Sequence, residues 1–146
     1  MTNEEKFIVD LEGYLVIKNV LSKDEMMEMN QVIDNGNRNG SPSRWGKLFN
    51  RLIDHPKILP YLIELIGPSV RLDHNYAVFM QNGSSGSRLH GGEDGGGYRE
   101  EGDHWYKYRD GVIRNGLCVM AYNLTPAKSG NGGFTCIPGS HKSHFL

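Results

Sequence analysis

The spacing of hydrophobic residues changes character about halfway along the chain. Between Ser22 and Pro68 apolar residues recur at intervals of three and four, the period of a helix with one buried face; from Val70 onward they mostly alternate, the period of a strand. Ser22-Lys23-Asp24-Glu25 is a capping box: the Ser22 hydroxyl can take the Glu25 amide, and the Glu25 side chain can reach back. Leu21 before it and Met26 after it are placed as a hydrophobic staple. Met26, Met29, Val32 and Ile33 then form a helical stripe that ends near Asn35-Gly36, and core packing is the better account of its methionines than a binding surface. Residues 35–46 form a loop rich in Asn, Gly, Ser and Pro. Leu48, Phe49, Leu52 and Ile53 give a short helical face, broken by His55-Pro56. Pro56 suits the first turn of a further helix lined by Ile58, Leu59, Leu62, Ile63 and Ile66 and stopped at Gly67-Pro68. His55 reads as a cap or surface residue.

Strand signals stand on both sides of this helical block. Phe7 to Val20 reads as a strand, with Tyr14, Val16 and Lys18 on one side and Leu15, Ile17 and Asn19 on the other. Residues 70–81 alternate with Leu72, His74, Tyr76, Val78 and Met80 on one face. Arg109-Asp110-Gly111 has the composition of a hairpin turn. Residues 112–124 form a strand pair or one long strand, with Leu117, Val119 and Ala121 opposed to Cys118, Met120 and Tyr122; residues 133–137 add a short strand. Helices followed by strands with glycine-rich turns predict one domain, helices packed on an antiparallel sheet, with a helical region over about 1–68 and strands over about 69–146. The chain stops at Leu146 just after a strand and a Pro-Gly-Ser turn. That predicts a truncated reading frame and an unpaired sheet edge open to self-association.

Composition changes this picture little. A net charge of −1 gives no reason to expect nucleic acid or an anionic membrane as partner. No run of about 18 apolar residues is present and no signal-peptide pattern opens the chain. Cys118 and Cys136 are isolated, without zinc spacing, so a reduced, cytoplasmic protein is the default expectation.

Candidate chemistry concentrates in Ser87-Arg88-Leu89-His90-Gly91-Gly92-Glu93-Asp94-Gly95-Gly96-Gly97. Imidazole and carboxylate on one loop are a ligand set for a divalent metal such as iron, and the glycines let backbone approach a bound group. A solvated loop with an incidental histidine explains the stretch equally well in isolation. Elsewhere, His104 beside Trp105 is a candidate for a substrate pocket, but an exposed loop histidine is the better reading, and His74 reads as a satisfied core or rim residue. Arg88 and Arg114 are able to grip a carboxylate, but ordinary surface pairing with Asp or Glu is the better reading. Nothing singles out Asn75 or Gln81.

Three separated segments together resemble the phytanoyl-CoA dioxygenase family of iron(II)- and 2-oxoglutarate-dependent oxygenases. They are residues 11–25, opening Leu11-Glu12-Gly13-Tyr14; Arg88-Leu89-His90-Gly91-Gly92; and Tyr122-Asn123-Leu124-Thr125-Pro126 through Gly130-Asn131-Gly132-Gly133-Phe134 to Ile137-Pro138-Gly139-Ser140-His141-Lys142. The resemblance implies a mainly β fold with N-terminal helices, a double-stranded β-helix (the cupin-like jelly roll), incomplete at its C-terminus. It implies hydroxylation of a small organic substrate with Fe(II) and 2-oxoglutarate as cofactors. Position by position, His90 matches the first metal histidine, and Tyr122 matches an aromatic near the cosubstrate. His141 falls in a motif that reads mainly as a structural turn.

Two departures qualify it. Where the family has its Asp ligand this chain has Gly92, so Asp94, with Glu93 second, is the expected carboxylate, or the site is of the halogenase type with a small residue there. The distal metal histidine and the arginine for 2-oxoglutarate lie, in the family, beyond the point where this chain ends. Turnover is therefore not expected from this fragment. The rival expectation is a non-catalytic jelly-roll module or pseudo-enzyme that binds a small molecule without metal.

Overall fold

The computed structural model describes residues 1–36, 38–81, 83, 85–87, 89, 105–128 and 130–143. Its first element is a helix where a strand is expected. Helix α1 spans Asn3–Glu12. Thr2 caps it: its side chain accepts from the Glu5 amide at 3.1 Å, and the Glu5 carboxylate accepts from the Thr2 amide at 2.7 Å. This is the same Ser/Thr-x-x-Glu box as at Ser22, and two of the four amides that a helix start leaves unpaired are met by it. Gly13 ends α1 at φ 81°, its amide bonded to the Val9 carbonyl. Beyond it the expected alternation does appear: Leu15 and Ile17 are half-buried while Tyr14, Val16 and Lys18 are exposed.

Helix α2 (Lys23–Asp34) starts on the predicted Ser22–Glu25 box, with bonds of 3.1 and 2.8 Å. Its inward face carries the core. Met29 is 1% exposed and packs with Trp45 and Phe49; Leu21, Val32, Ile33, Leu48, Leu52 and Leu124 close around them. Trp45 and Phe49 meet edge to face with ring centroids 5.2 Å apart, and the Trp45 indole N–H donates to the Asn39 carbonyl at 2.7 Å. Trp45 follows a short 3-10 turn (Pro42–Arg44), and Phe49 lies on helix α3 (Lys47–Asn50). Helix α4 (Leu59–Leu65) begins three residues later than the Pro56 signal suggests, with Pro60 in its first turn. His55 is neither on the surface nor the N-cap of α4, which is Ile58; it is buried in the preceding turn, where its Nδ1 accepts from the Lys57 amide at 3.2 Å and its carbonyl takes the Ile58 and Leu59 amides.

The β half differs from expectation. Among the described residues the sheet has two strands, β1 (Tyr106–Arg109) and β2 (Val112–Asn115), paired antiparallel with Tyr106 opposite Asn115. Asp110 (φ 52°) and Gly111 (φ 80°) make the tight turn predicted there; positive φ at both central residues is what a two-residue hairpin loop matching strand twist requires. Residues 70–81 have no regular secondary structure and are almost wholly exposed, Tyr76 at 66% and Val78 at 70%. Neither they nor residues 116–124 and 133–137 join a ladder. With four α-helices and one hairpin among the described residues, the chain is mixed helix and coil, and the expected mainly β double-stranded β-helix is overturned. The reason is physical: alternation states which face a strand would bury, but a strand exists only when another strand meets its backbone groups. Among the described residues, no helix is long and apolar enough to cross a membrane.

Candidate functional site

His90, Glu93 and Asp94, the expected metal ligands, lie outside the described residues, as do Arg88 and His104. Among the described residues no three His, Cys, Asp or Glu side chains come together in a way that could hold a metal ion. Each remaining candidate has a local role. The His74 Nδ1 pairs with Asp73 at 2.8 Å and the ring stacks on Tyr76, but it is exposed, neither core nor rim. Asn75 holds Ser43, accepting from its amide and donating to its hydroxyl, both at 3.1 Å. Arg114 donates to the carbonyls of Glu64 and Ile113 at 2.7 and 2.8 Å rather than to a carboxylate.

Tyr122, the expected cosubstrate contact, is half-buried, and its hydroxyl donates to the Leu52 carbonyl at 3.0 Å. Burial pushes its phenol up to about 12, so it stays a donor throughout the physiological range. Two residues on, the Leu124 carbonyl accepts from the Asn30 amide group at 3.0 Å. The pair fastens residues 122–124 to α2 and to the residues just after α3. Tyr122→Phe is expected to cost about 1 kcal/mol by removing one net hydrogen bond, read as a shift in urea midpoint at unchanged slope. No loss would mean that the hydroxyl bond carries nothing.

Two places gather chemistry. The first is a cavity of about 460 Å³ between the amino terminus, α4 and the hairpin, with Ile63, Leu65 and Val112 among its apolar walls. Its charged lining is mostly positive: the amino terminus, Lys6 and Arg114 stand against the Glu64 carboxylate. The Met1 amino group and the Lys6 ammonium both close on the Glu64 carboxylate, which is held below its usual range by hydrogen bonds from Lys6 and the amino terminus.

The second joins residues 131 positions apart. A 3-10 turn (Ser140–Lys142) docks on the C-terminal end of α1: the Gly139 amide donates to the Glu12 carbonyl at 2.9 Å, and the His141 Nε2 donates to the Asp10 carbonyl at 3.1 Å. The His141 ring packs perpendicular to the ring of Tyr106 of β1, with centroids 4.7 Å apart. The Tyr106 hydroxyl donates to the Asp10 carboxylate, and Lys142 reaches its other oxygen at 3.1 Å. Those two contacts, the phenol first, hold Asp10 low; burial and then the Asp10 bond push Tyr106 well above its ordinary value. Burial lowers His141, whose Nδ1 is buried with no hydrogen-bond partner. The phenol is thus locked as a donor and the imidazole is neutral with its second nitrogen shut off. This is the chemistry of a clasp, and it agrees with the sequence reading of His141 as a turn residue.

No protein-family model, curated protein or solved structure matches the chain.

Proposed function

We propose that the chain carries the first-histidine part of an iron(II)- and 2-oxoglutarate-dependent oxygenase site acting on a small organic substrate. The reading rests on the sequence resemblance, and one spatial observation supports it: two of the three segments that carry the resemblance meet. Glu12 and Gly13 of the first lie against Gly139 and His141 of the third, through the amide bond from Gly139 to Glu12 and the ring of His141 over Gly13. The described residues do not fit a bound iron, so the metal role falls on His90, with Asp94 the first choice of carboxylate and Glu93 the second. Iron with 2-oxoglutarate and oxygen supplies the oxidant in this class, and no described residue is assigned a step of that chemistry. Tyr122 is kept as a cosubstrate contact only through the lone pairs of its oxygen, since its proton is given to Leu52.

Titration with Co(II) under anaerobic, chelator-treated conditions tests the reading. Saturable binding is expected, and His90→Ala should weaken it by more than the roughly 10–100-fold that loss of an outer-shell partner costs. Asp94→Ala should weaken it more than Glu93→Ala. Absence of saturable binding, or binding indifferent to His90→Ala, removes the oxygenase reading.

A further inference from the structure

We propose that the turn over residues 139–142 and the end of α1 form a clasp that opens on mild acidification, with His141 as its proton-sensitive part. The inference does not depend on the oxygenase reading. Because the partner of Nε2 is a carbonyl oxygen, that nitrogen must carry the proton, which leaves the lone pair of the neutral ring on Nδ1. Nδ1 is buried against Gly13, so close that a side-chain carbon built on Gly13 would sit 2.3 Å from it. A second proton would therefore create a charged N–H that is buried beside Gly13 with no acceptor among the described residues. A buried donor left unmet is costly, and a charged one more so.

The groups facing the ring offer no relief. From α1, the Asp10 carboxylate is already engaged by the Tyr106 hydroxyl and by Lys142, and Glu12 contributes its carbonyl to Gly139. From β1, Tyr106 presents a neutral ring. From the turn itself, the Lys142 ammonium repels a second positive charge nearby. Burial is the largest influence on His141 and Lys142 adds to it, against the two favourable effects of Asp10; the sum lowers its proton affinity. The sign follows. A histidine whose docked pKa is below its free value binds protons more readily when released, so docking is fully favoured above about pH 6.5 and weakens as pH falls through that value towards the docked one. Asp10, itself held low, stays charged across that window and loses its partners only at more acid pH.

Amide hydrogen exchange tests the clasp in the intact chain. Protection of the Gly139 amide, corrected for the intrinsic rate, should fall by up to about tenfold per pH unit below the ordinary histidine value, the limit for one linked proton. The Asn35 amide, bonded to Gln31 at the end of α2, should not follow it. His141→Gln can keep a side-chain N–H for the Asp10 carbonyl but cannot titrate, so its Gly139 protection should be flat from pH 7.5 to 5. A flat wild-type profile, or an unchanged slope in His141→Gln, overturns the proposal. Should that variant fail to fold, nitrogen NMR of the wild-type ring decides. A neutral ring with its proton on Nε2, titrating below the free value, upholds the clasp; a proton on Nδ1, or titration above the free value, overturns it.

Discussion

Met29→Ala is expected to lower unfolding free energy by about 2–5 kcal/mol, the range for emptying a buried large side chain. Met29 is 1% exposed, and it is the point at which α2, Trp45 and Phe49 close on one another. Removing the thioether leaves a void in a cluster whose two aromatic rings are themselves fixed. Trp45 is tied by its indole bond to Asn39 and Phe49 by the edge-to-face contact, so neither can readily collapse into the space. A void that cannot relax retains its full cavity cost. The comparison is Met27→Ala on the same helix. Met27 is 56% exposed, and its replacement should stay within about 0.5 kcal/mol. Urea unfolding of both variants checks the contrast, and equal midpoints would mean that the core does not form around Met29.

How much of this was readable in advance depended on the distance over which each decision is made. The Ser22 box, the methionine stripe and the Asp110-Gly111 turn are settled by residues within four positions of one another, and the structure has all three. α1 was equally local, because Thr2-Asn3-Glu4-Glu5 repeats the Ser22 signal. The alternation of residues 14–19 drew the strand reading back across it to Phe7. Residues 70–81 failed for the opposite reason: their alternation is real, but pairing is decided by other parts of the chain, and no described segment pairs with them. The jelly roll is what the resemblance alone implies, and the two-stranded sheet of the described residues overturns it. The expected ligands His90, Glu93 and Asp94 fall outside the described residues, so their assignment remains a matter of chemistry. The clasp was not legible at all as a contact, since Asp10 and His141 are brought together only by the tertiary path of the chain.

Gly13 is where the local and long-range requirements coincide, and Gly13→Ala should separate them. At φ 81° a Cβ alone costs about 1–2 kcal/mol in the left-handed region. The same Cβ would stand 2.3 Å from Nδ1 and 2.8 Å from Cγ of His141, distances that no side chain tolerates. The ring has little freedom to yield, because Nε2 is held by Asp10 and the ring is packed in a T-shaped contact with Tyr106. The variant must therefore expel His141, losing that hydrogen bond and the docking of the turn as well as bearing the backbone strain. Gly36→Ala is the matched reference: φ is 102°, and no atom lies within 4 Å of the added carbon, so it should show the strain alone. Gly13→Ala should cost more than Gly36→Ala by at least the roughly 1 kcal/mol of a lost hydrogen bond. In a His141→Ala background most of that excess should vanish, a coupling within the roughly 0.5–3 kcal/mol found for residues in contact. Additive effects of the two substitutions would mean that the ring of His141 does not rest on Gly13, and the clasp would lose its closing contact.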